Sequence, residues 1–144
     1  MTGASPPEPL IIYIDGASRG NPGEAGFGIH ITDASGAERA ALYGYLGRAS
    51  NNVAEYQALI HALQWALRQG ARRVSVFSDS ELVVRQIEGR YKVKHSDMIP
   101  LHQKAVSLLH RFEEAAVRHV RREQNREADR LANQALDEKA SKLE

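Results

Sequence analysis

The sequence contains no cysteine, which excludes disulfides and thiolate metal sites together and suits a reducing compartment. It also lacks any apolar run approaching the ~18 residues a membrane span requires. The first nine residues, Met-Thr-Gly-Ala-Ser-Pro-Pro-Glu-Pro, have neither the charged nor the apolar region of a signal peptide. A cytoplasmic protein with no membrane partner is therefore expected. An excess of one charge is missing too: 19 basic residues meet 18 acidic ones, a formal net charge of +1, and that balance says nothing by itself about nucleic acid. There is no internal repeat and no low-complexity tract beyond the last few charged residues.

What remains is ordinary for a globular protein, with 144 residues, 42% hydrophobic and 26% charged. Such a chain forms one domain burying roughly 68–70% of its unfolded surface. The charges are unevenly spread. Arg118, Arg121, Arg122, Arg126 and Arg130 crowd one segment, and Lys92, Lys94 and His95 another. Each cluster reads either as a solvated face or as a contact for phosphates.

The chain is organised around Asn51 to Gln69. Gln57, His61, Gln64 and Arg68 recur at spacings of four, three and four, which stacks them in one stripe facing water. The rest of the circumference is apolar, so this helix is covered on most sides. Glu55 lies roughly 160° from the stripe at ~100° per residue, among Leu59, Ala62 and Ala66. A buried acid is costly unless something pairs with it. One reading is a capping box, with Asn52 as N-cap and Glu55 three residues on. The other is that Glu55 meets further carboxylates around a metal ion.

The remaining elements follow from local patterns. Residues 1–9 read as a disordered leader, 10–138 as the domain and 139–144 as a charged tail. Leu10 to Ile14 is a buried strand ended by Asp15-Gly16, and Ala17 to Gly26 a glycine-rich loop. Phe27–Thr32 and Glu38–Leu46 complete an antiparallel meander. After the central helix, stopped at Gly70, Val74–Phe77 is a fourth strand and Ser80 caps a short helix to Ile87. Asp97 caps a helix with Pro100 in its first turn and Leu101, Ala105, Leu108, Leu109 and Phe112 inward. Ala115–Val120 is a fifth strand, and Asn125 opens a last helix with Ala128, Leu131, Ala132, Ala135 and Leu136 inward. The order βββαβααβα implies an α/β fold with a mixed five-stranded sheet, the first three strands antiparallel, the later ones parallel, and helices on both faces.

Four acids then stand at strand ends and helix starts: Asp15, Glu55, Asp79 and Asp129. Singly they have modest explanations, a turn for Asp15, a cap for Asp79 and a helix dipole for Asp129. Together they lie where ligands gather, at the C-terminal edge of parallel strands. Clustered carboxylates repel unless a cation intervenes, and oxygen donors without Cys or a His pair point to Mg²⁺ or Mn²⁺. Two such ions roughly 3.5–4 Å apart would clamp the attacking and leaving oxygens of a phosphodiester.

Four ordered blocks carry a family resemblance. Tyr13-Ile14-Asp15-Gly16-Ala17-Ser18-Arg19-Gly20-Asn21-Pro22-Gly23, Ser50-Asn51-Asn52-Val53-Ala54-Glu55-Tyr56, Ser78-Asp79-Ser80-Glu81-Leu82-Val83 and Asn125-Arg126-Glu127-Ala128-Asp129-Arg130-Leu131-Ala132 resemble type 1 ribonuclease H, in a short form lacking the basic protrusion. The resemblance spans about residues 10 to 136. It implies a ribonuclease H-like fold and hydrolysis of the RNA strand of an RNA/DNA hybrid, leaving 3′-hydroxyl and 5′-phosphate ends. By that resemblance Asp15, Glu55, Asp79 and Asp129 hold two Mg²⁺ ions, with Mn²⁺ a substitute, and Glu55 also accepts from a ribose 2′-hydroxyl. Gly16, Ser18, Gly20 and Asn21, then Ser50, Asn51 and Asn52, then Glu81 match substrate contacts. None reads base edges, so cleavage is expected to be nearly sequence-independent. A monomer is expected, with duplex RNA as a further substrate to test.

The chain also departs from the pattern. Many relatives carry a histidine in a longer loop before the last helix, whereas Val120 and Asn125 are joined here only by Arg-Arg-Glu-Gln. His119 falls inside the expected strand and is given no role. Glu81 stands where a glutamine is frequent, and only Gly-Arg-Tyr-Lys-Val-Lys-His precedes the helix near Asp97. The competing expectation is a hybrid- or duplex-RNA-binding module with weak turnover on the same fold. A third is another nuclease or strand-transfer enzyme on that fold, although the Asn21 and Asn51-Asn52 blocks argue against it.

Overall fold

The computed structural model describes residues 8–144. Most of the leader expected at 1–9 lies outside these residues; Glu8 and Pro9 precede the first strand without regular structure. The elements are β1 (Leu10–Arg19), β2 (Gly23–Thr32), β3 (Glu38–Ala49), α1 (Asn51–Arg68), β4 (Arg73–Ser78), α2 (Glu81–Ile87), α3 (Ile99–Leu109), β5 (Glu114–His119) and α4 (Arg126–Glu138). A 3₁₀ turn at Arg122–Gln124 leads into α4.

The sheet order is β3-β2-β1-β4-β5. β1, β2 and β3 pair antiparallel, while β4 runs parallel to both β1 and β5. This is the expected topology. The crossover through α1 brings β4 back beside β1, as a parallel connection requires.

Alternation along β2 divides the two faces. Phe27, Ile29 and Ile31 are buried in the main core with Tyr56, Leu59 and Leu63 of α1. Gly26 and Gly28 point the other way, against α4: a Cβ on Gly28 would overlap the Ala128 carbonyl and the Leu131 side chain. Two glycines thus let a helix lie directly on strand backbone. Ala128, Leu131, Ala132, Ala135 and Leu136 are the buried residues of α4, as its spacing predicts.

Several local expectations are corrected. The glycine-rich segment expected to loop from Ala17 to Gly26 is mostly strand. Ser18 pairs with Ala25 and Arg19 with Glu24, so only Gly20–Pro22 turns. Ladder partners outweigh the low strand propensity of glycine. The N-cap of α1 is Ser50, whose side chain accepts from the Val53 amide at 3.2 Å, not Asn52. Gln69 is the C-cap, and Gly70 follows it at φ +77°. The polar stripe of α1 is only partly wet: Gln57, His61 and Gln64 are half-buried, and His61 stacks on Phe27 with centroids 5.0 Å apart. α3 begins after Met98 with no side-chain cap, so Asp97 does not serve there. Residues 139–144 do not form a separate tail. Lys142 bridges Tyr43 antiparallel, the Tyr45 amide donates to Ser141 Oγ at 2.9 Å, and Leu143 packs on the core.

Among the described residues no helix is long and apolar enough to cross a membrane.

Candidate active site

The parallel ladder between β1 and β4 ends at Ile14 opposite Ser78. Asp15 follows on β1 and Asp79 is the first residue past the end of β4, which sets them side by side at the C-terminal edge of that ladder. Asp15 does not end its strand, as the sequence suggests; β1 continues to Arg19 on β2, with Asp15 opposite Gly28. What stops at Asp15 is the pairing to β4.

Glu55 reaches the same point from near the start of α1, just past its first turn. The Gly16 amide donates to its Oε1 at 2.7 Å, and Ser78 Oγ donates to its Oε2 at 3.1 Å. Ser78 Oγ in turn accepts from the Ser80 amide at 3.0 Å. The capping-box alternative for Glu55 is excluded, because the carboxylate faces β1 and β4 instead of the start of its own helix. Carboxylate oxygens of Asp15, Glu55 and Asp79 lie within 4.8 Å of one another.

Burial makes this arrangement unstable as three anions. Asp15 is 6% exposed and Glu55 4%. Desolvation, then the charges of Glu55 and Asp79, push the Asp15 carboxyl up to about 10. Desolvation also raises Glu55, to about 7, against the downward pull of the Gly16 amide. Without a cation the cluster keeps a proton at neutral pH. The donors are all oxygen, hard and anionic, which fits a divalent hard cation.

Asp129, in the first turn of α4, lines the same cleft as these three acids. All four acids line one open cleft of about 650 Å³, together with Gly16, Ser18, Asn51 and Asn52. Ser50, Asn21 and Asn52 border a neighbouring cleft of about 870 Å³, whose far side carries His95 and Asp97. The two clefts meet at Asn52. Asn21 Oδ1 accepts from the Asn51 amide at 3.2 Å, joining the β1–β2 turn to the start of α1. Ser18 Oγ donates to the Ala49 carbonyl at 3.0 Å and also to the Gly20 carbonyl. Gly20 lies in the turn and lines neither of these two clefts. Glu81 is set apart from the other expected substrate contacts. It lies on α2 in an ion pair with Arg85 at 3.6 Å and lines neither cleft.

Sequence reasoning gave no site role to Ser78, Ser80, His119 or Val120; the last two form a wall of the cleft with Arg121 and Arg122, of the arginine cluster already noted, and Glu123. His119, set aside because it sits in a strand, is the last residue of β5, level with Ser78, so it borders the acids. Ser78 did leave a signal, as the one hydroxyl between an apolar strand and an acid. Its orientation toward Glu55 depends on how α1 crosses the sheet.

Fold and site together define a class: a mixed α/β sheet whose edge gathers carboxylates into an oxygen-donor site for divalent cations. A model of the reverse transcriptase-like family matches residues 13–135. The chain is 32% identical to the ribonuclease H of Methylococcus capsulatus, covering 91% of this chain and 92% of that protein. It superposes on the N-terminal RNase H domain of Rv2228c from Mycobacterium tuberculosis with a TM-score of 0.87 at 44% identity, covering 91% of this chain and 95% of that one. LC11-RNase H1, solved in complex with an RNA/DNA hybrid, gives a TM-score of 0.86 at 41% identity, covering 90% and 98%. The chain spans about a third of the full-length Mycobacterium tuberculosis bifunctional protein Rv2228c, 35% of its length. It belongs to the type 1 ribonuclease H family.

Proposed function

We propose that the chain hydrolyses the RNA strand of RNA/DNA hybrids, leaving 3′-hydroxyl and 5′-phosphate ends with little regard to base sequence. The observation that carries this reading is the meeting of Asp15, Glu55 and Asp79 within 4.8 Å, with Asp129 on the same cleft. The hybrid bound by LC11-RNase H1 supports the choice of substrate.

Asp15, Glu55, Asp79 and Asp129 would hold two Mg²⁺ ions, with Mn²⁺ as a substitute. When bound, such ions lower the pKa of water and offset the charge developing on a phosphodiester. The protein's share is pre-organisation. The Gly16 amide and the Ser78 hydroxyl hold both oxygens of Glu55, so the carboxylate is aimed before substrate arrives. Ser18, Asn51 and Asn52 offer short polar groups along the cleft, suited to sugars and phosphates and not to base edges. Asn21 and Ser50 extend this surface into the adjoining cleft, where a second strand has room. Arg121 and Arg122 stand on the far wall and complement phosphate charge.

The test incubates labelled RNA/DNA hybrid, duplex RNA and duplex DNA with the chain and Mg²⁺, Mn²⁺ or chelator. Metal-dependent nicking of the hybrid's RNA is expected. Binding without nicking would assign the chain to hybrid recognition alone, and nicking of duplex RNA would widen the substrate class. Sedimentation of the free chain is expected to show a monomer.

A further inference from the structure

Asn125 is a polar side chain with 1% exposure, and the use of its amide is unusual for a helix N-cap. It makes no side-chain bond to its own helix. Its Nδ2 instead donates to the Ile14 carbonyl at 2.8 Å, a link across 111 residues, while its Oδ1 is buried with no protein partner. Burying an amide with one atom unsatisfied is costly, so the retained bond must matter more than comfortable capping. Its two ends are informative. Ile14 immediately precedes Asp15. The Asn125 carbonyl accepts from the Asp129 amide at 3.1 Å, closing the first turn of α4.

We propose that Asn125 is a positioning residue that fixes the distance between Asp15 and Asp129. The side chain pins the peptide before Asp15, and the main chain of the same residue pins Asp129, so one residue sets both acids. Gly28 of β2 meets the Ala128 carbonyl in the first turn of α4 and Gly26 meets later turns, contacts that press the helix onto β2, whereas the Asn125 side chain ties the start of α4 directly to β1. Asp129 itself is exposed, held by Asn133 Nδ2 at 3.0 Å on its carbonyl and 3.4 Å on its Oδ1. Asn133 is also on α4, and its tie to β1 is an exposed bond in which Arg19 Nη2 donates to Asn133 Oδ1 at 3.4 Å, four residues past Asp15, whereas the Asn125 bond is buried and reaches the residue next to Asp15.

The inference rests on the reading that these acids hold divalent cations, and its test separates the two. Mn²⁺ binding to the hybrid-free protein is titrated by electron paramagnetic resonance for wild type, Asn125→Asp, Asn125→Ala, Asp129→Asn and the double variant Asn125→Ala/Asp129→Asn. Asn125→Asp keeps the shape and replaces the donor facing the Ile14 carbonyl with an acceptor. Loss of a group that orients a ligand typically weakens metal affinity about 10- to 100-fold, and that loss is expected for both single Asn125 variants. In the Asp129→Asn background Asn125→Ala should cost little further affinity. For hybrid cleavage kcat should fall with KM nearly unchanged. A residue that only stabilises the fold would lower Tm and leave the Mn²⁺ affinity of the folded fraction alone. If Asn125→Asp does not fold, Asn125→Ala and the cycle with Asp129→Asn decide. Wild-type Mn²⁺ affinity in the folded Asn125 variants, or equal losses from Asn125→Ala in both backgrounds, overturns this inference and leaves the cation site standing. A wild-type chain that binds no Mn²⁺ removes both.

Discussion

The amide of Gly16 donates to Glu55 Oε1 at 2.7 Å, and nothing larger than glycine fits between them. A Cβ at residue 16 would overlap the Glu55 nitrogen and the Ala54 carbonyl carbon, which are helix backbone and cannot rotate aside. The absence of a side chain on β1 therefore determines how closely the acid on α1 approaches Asp15.

Gly16→Ala is expected to push α1 off β1 and cost about 1–3 kcal/mol, the usual price of overpacking. Hybrid cleavage should fall by about tenfold or more, ~1.4 kcal/mol of barrier, although all four acids remain. Urea unfolding and kcat measured on the same preparation check both effects; unchanged turnover would mean that the approach of α1 is not critical.

Ser78→Ala removes the hydroxyl that donates to Glu55 Oε2 at 3.1 Å. Bonds to a charged acceptor contribute about 1.5–3 kcal/mol, and this one pulls the Glu55 carboxyl down against its desolvation. The variant should need more divalent cation for half-maximal activity. The acidic limb of its pH–rate profile should also move to higher pH. A profile superposing on wild type would show that Ser78 plays no part in ionising Glu55.

The cation-free protein should lose stability as pH rises. Asp15 is lifted from 3.8 to about 10 and Glu55 from 4.5 to about 7, chiefly by burial. The folded state thus binds more protons than the unfolded state, and the slope of stability against pH is negative. This contribution is complete below the ordinary carboxylate range and is lost as pH passes through about 7 and then about 10. In chelator, Tm should decline from pH 5 to pH 9, and Asp15→Asn should flatten the decline. A divalent cation at ~100 times its Kd should raise stability by about 2.7 kcal/mol. A Tm in chelator that rises toward pH 9 would contradict the burial of these acids.

Removing residues 140–144 should affect stability and leave catalysis alone. The segment exchanges two backbone bonds with Tyr43, at 2.9 and 2.8 Å, and a third bond joins the Tyr45 amide to Ser141. Each contributes about 0.5–1.5 kcal/mol, and ordering the segment offsets part of this, so a loss of about 1–2 kcal/mol is expected. Calorimetry reads the shift, and kcat at 25 °C should stay at the wild-type value, because no residue of β3 lines the cleft of the acids and only its last two, Arg48 and Ala49, line the neighbouring one.

Much of the scaffold was legible because its signals are local. The apolar run from Leu10 to Ile14, the spacing of Ala128, Leu131, Ala132, Ala135 and Leu136, and the Ser80 cap each follow from backbone periodicity and side-chain chemistry within a few residues. The glycines at 16 and 26 misled for a non-local reason. Read alone they suggest a loop, yet they are strand residues kept small because α1 and α4 press on them. The segment at 139–144 misled similarly, since its charges give no hint that its backbone pairs with Tyr43.

The sequence by itself determined the strand and helix order, the oxygen-only donor set and the identity of the four acids, because residue chemistry and local spacing carry that information. Only the tertiary structure decided that Asp15 and Asp79 flank the end of one parallel ladder, that Glu55 is gripped by Gly16 and Ser78, that His119 borders the cleft and that Glu81 does not. Those relations depend on sheet register and on how closely two helices settle onto strand backbone, and packing between distant segments sets both.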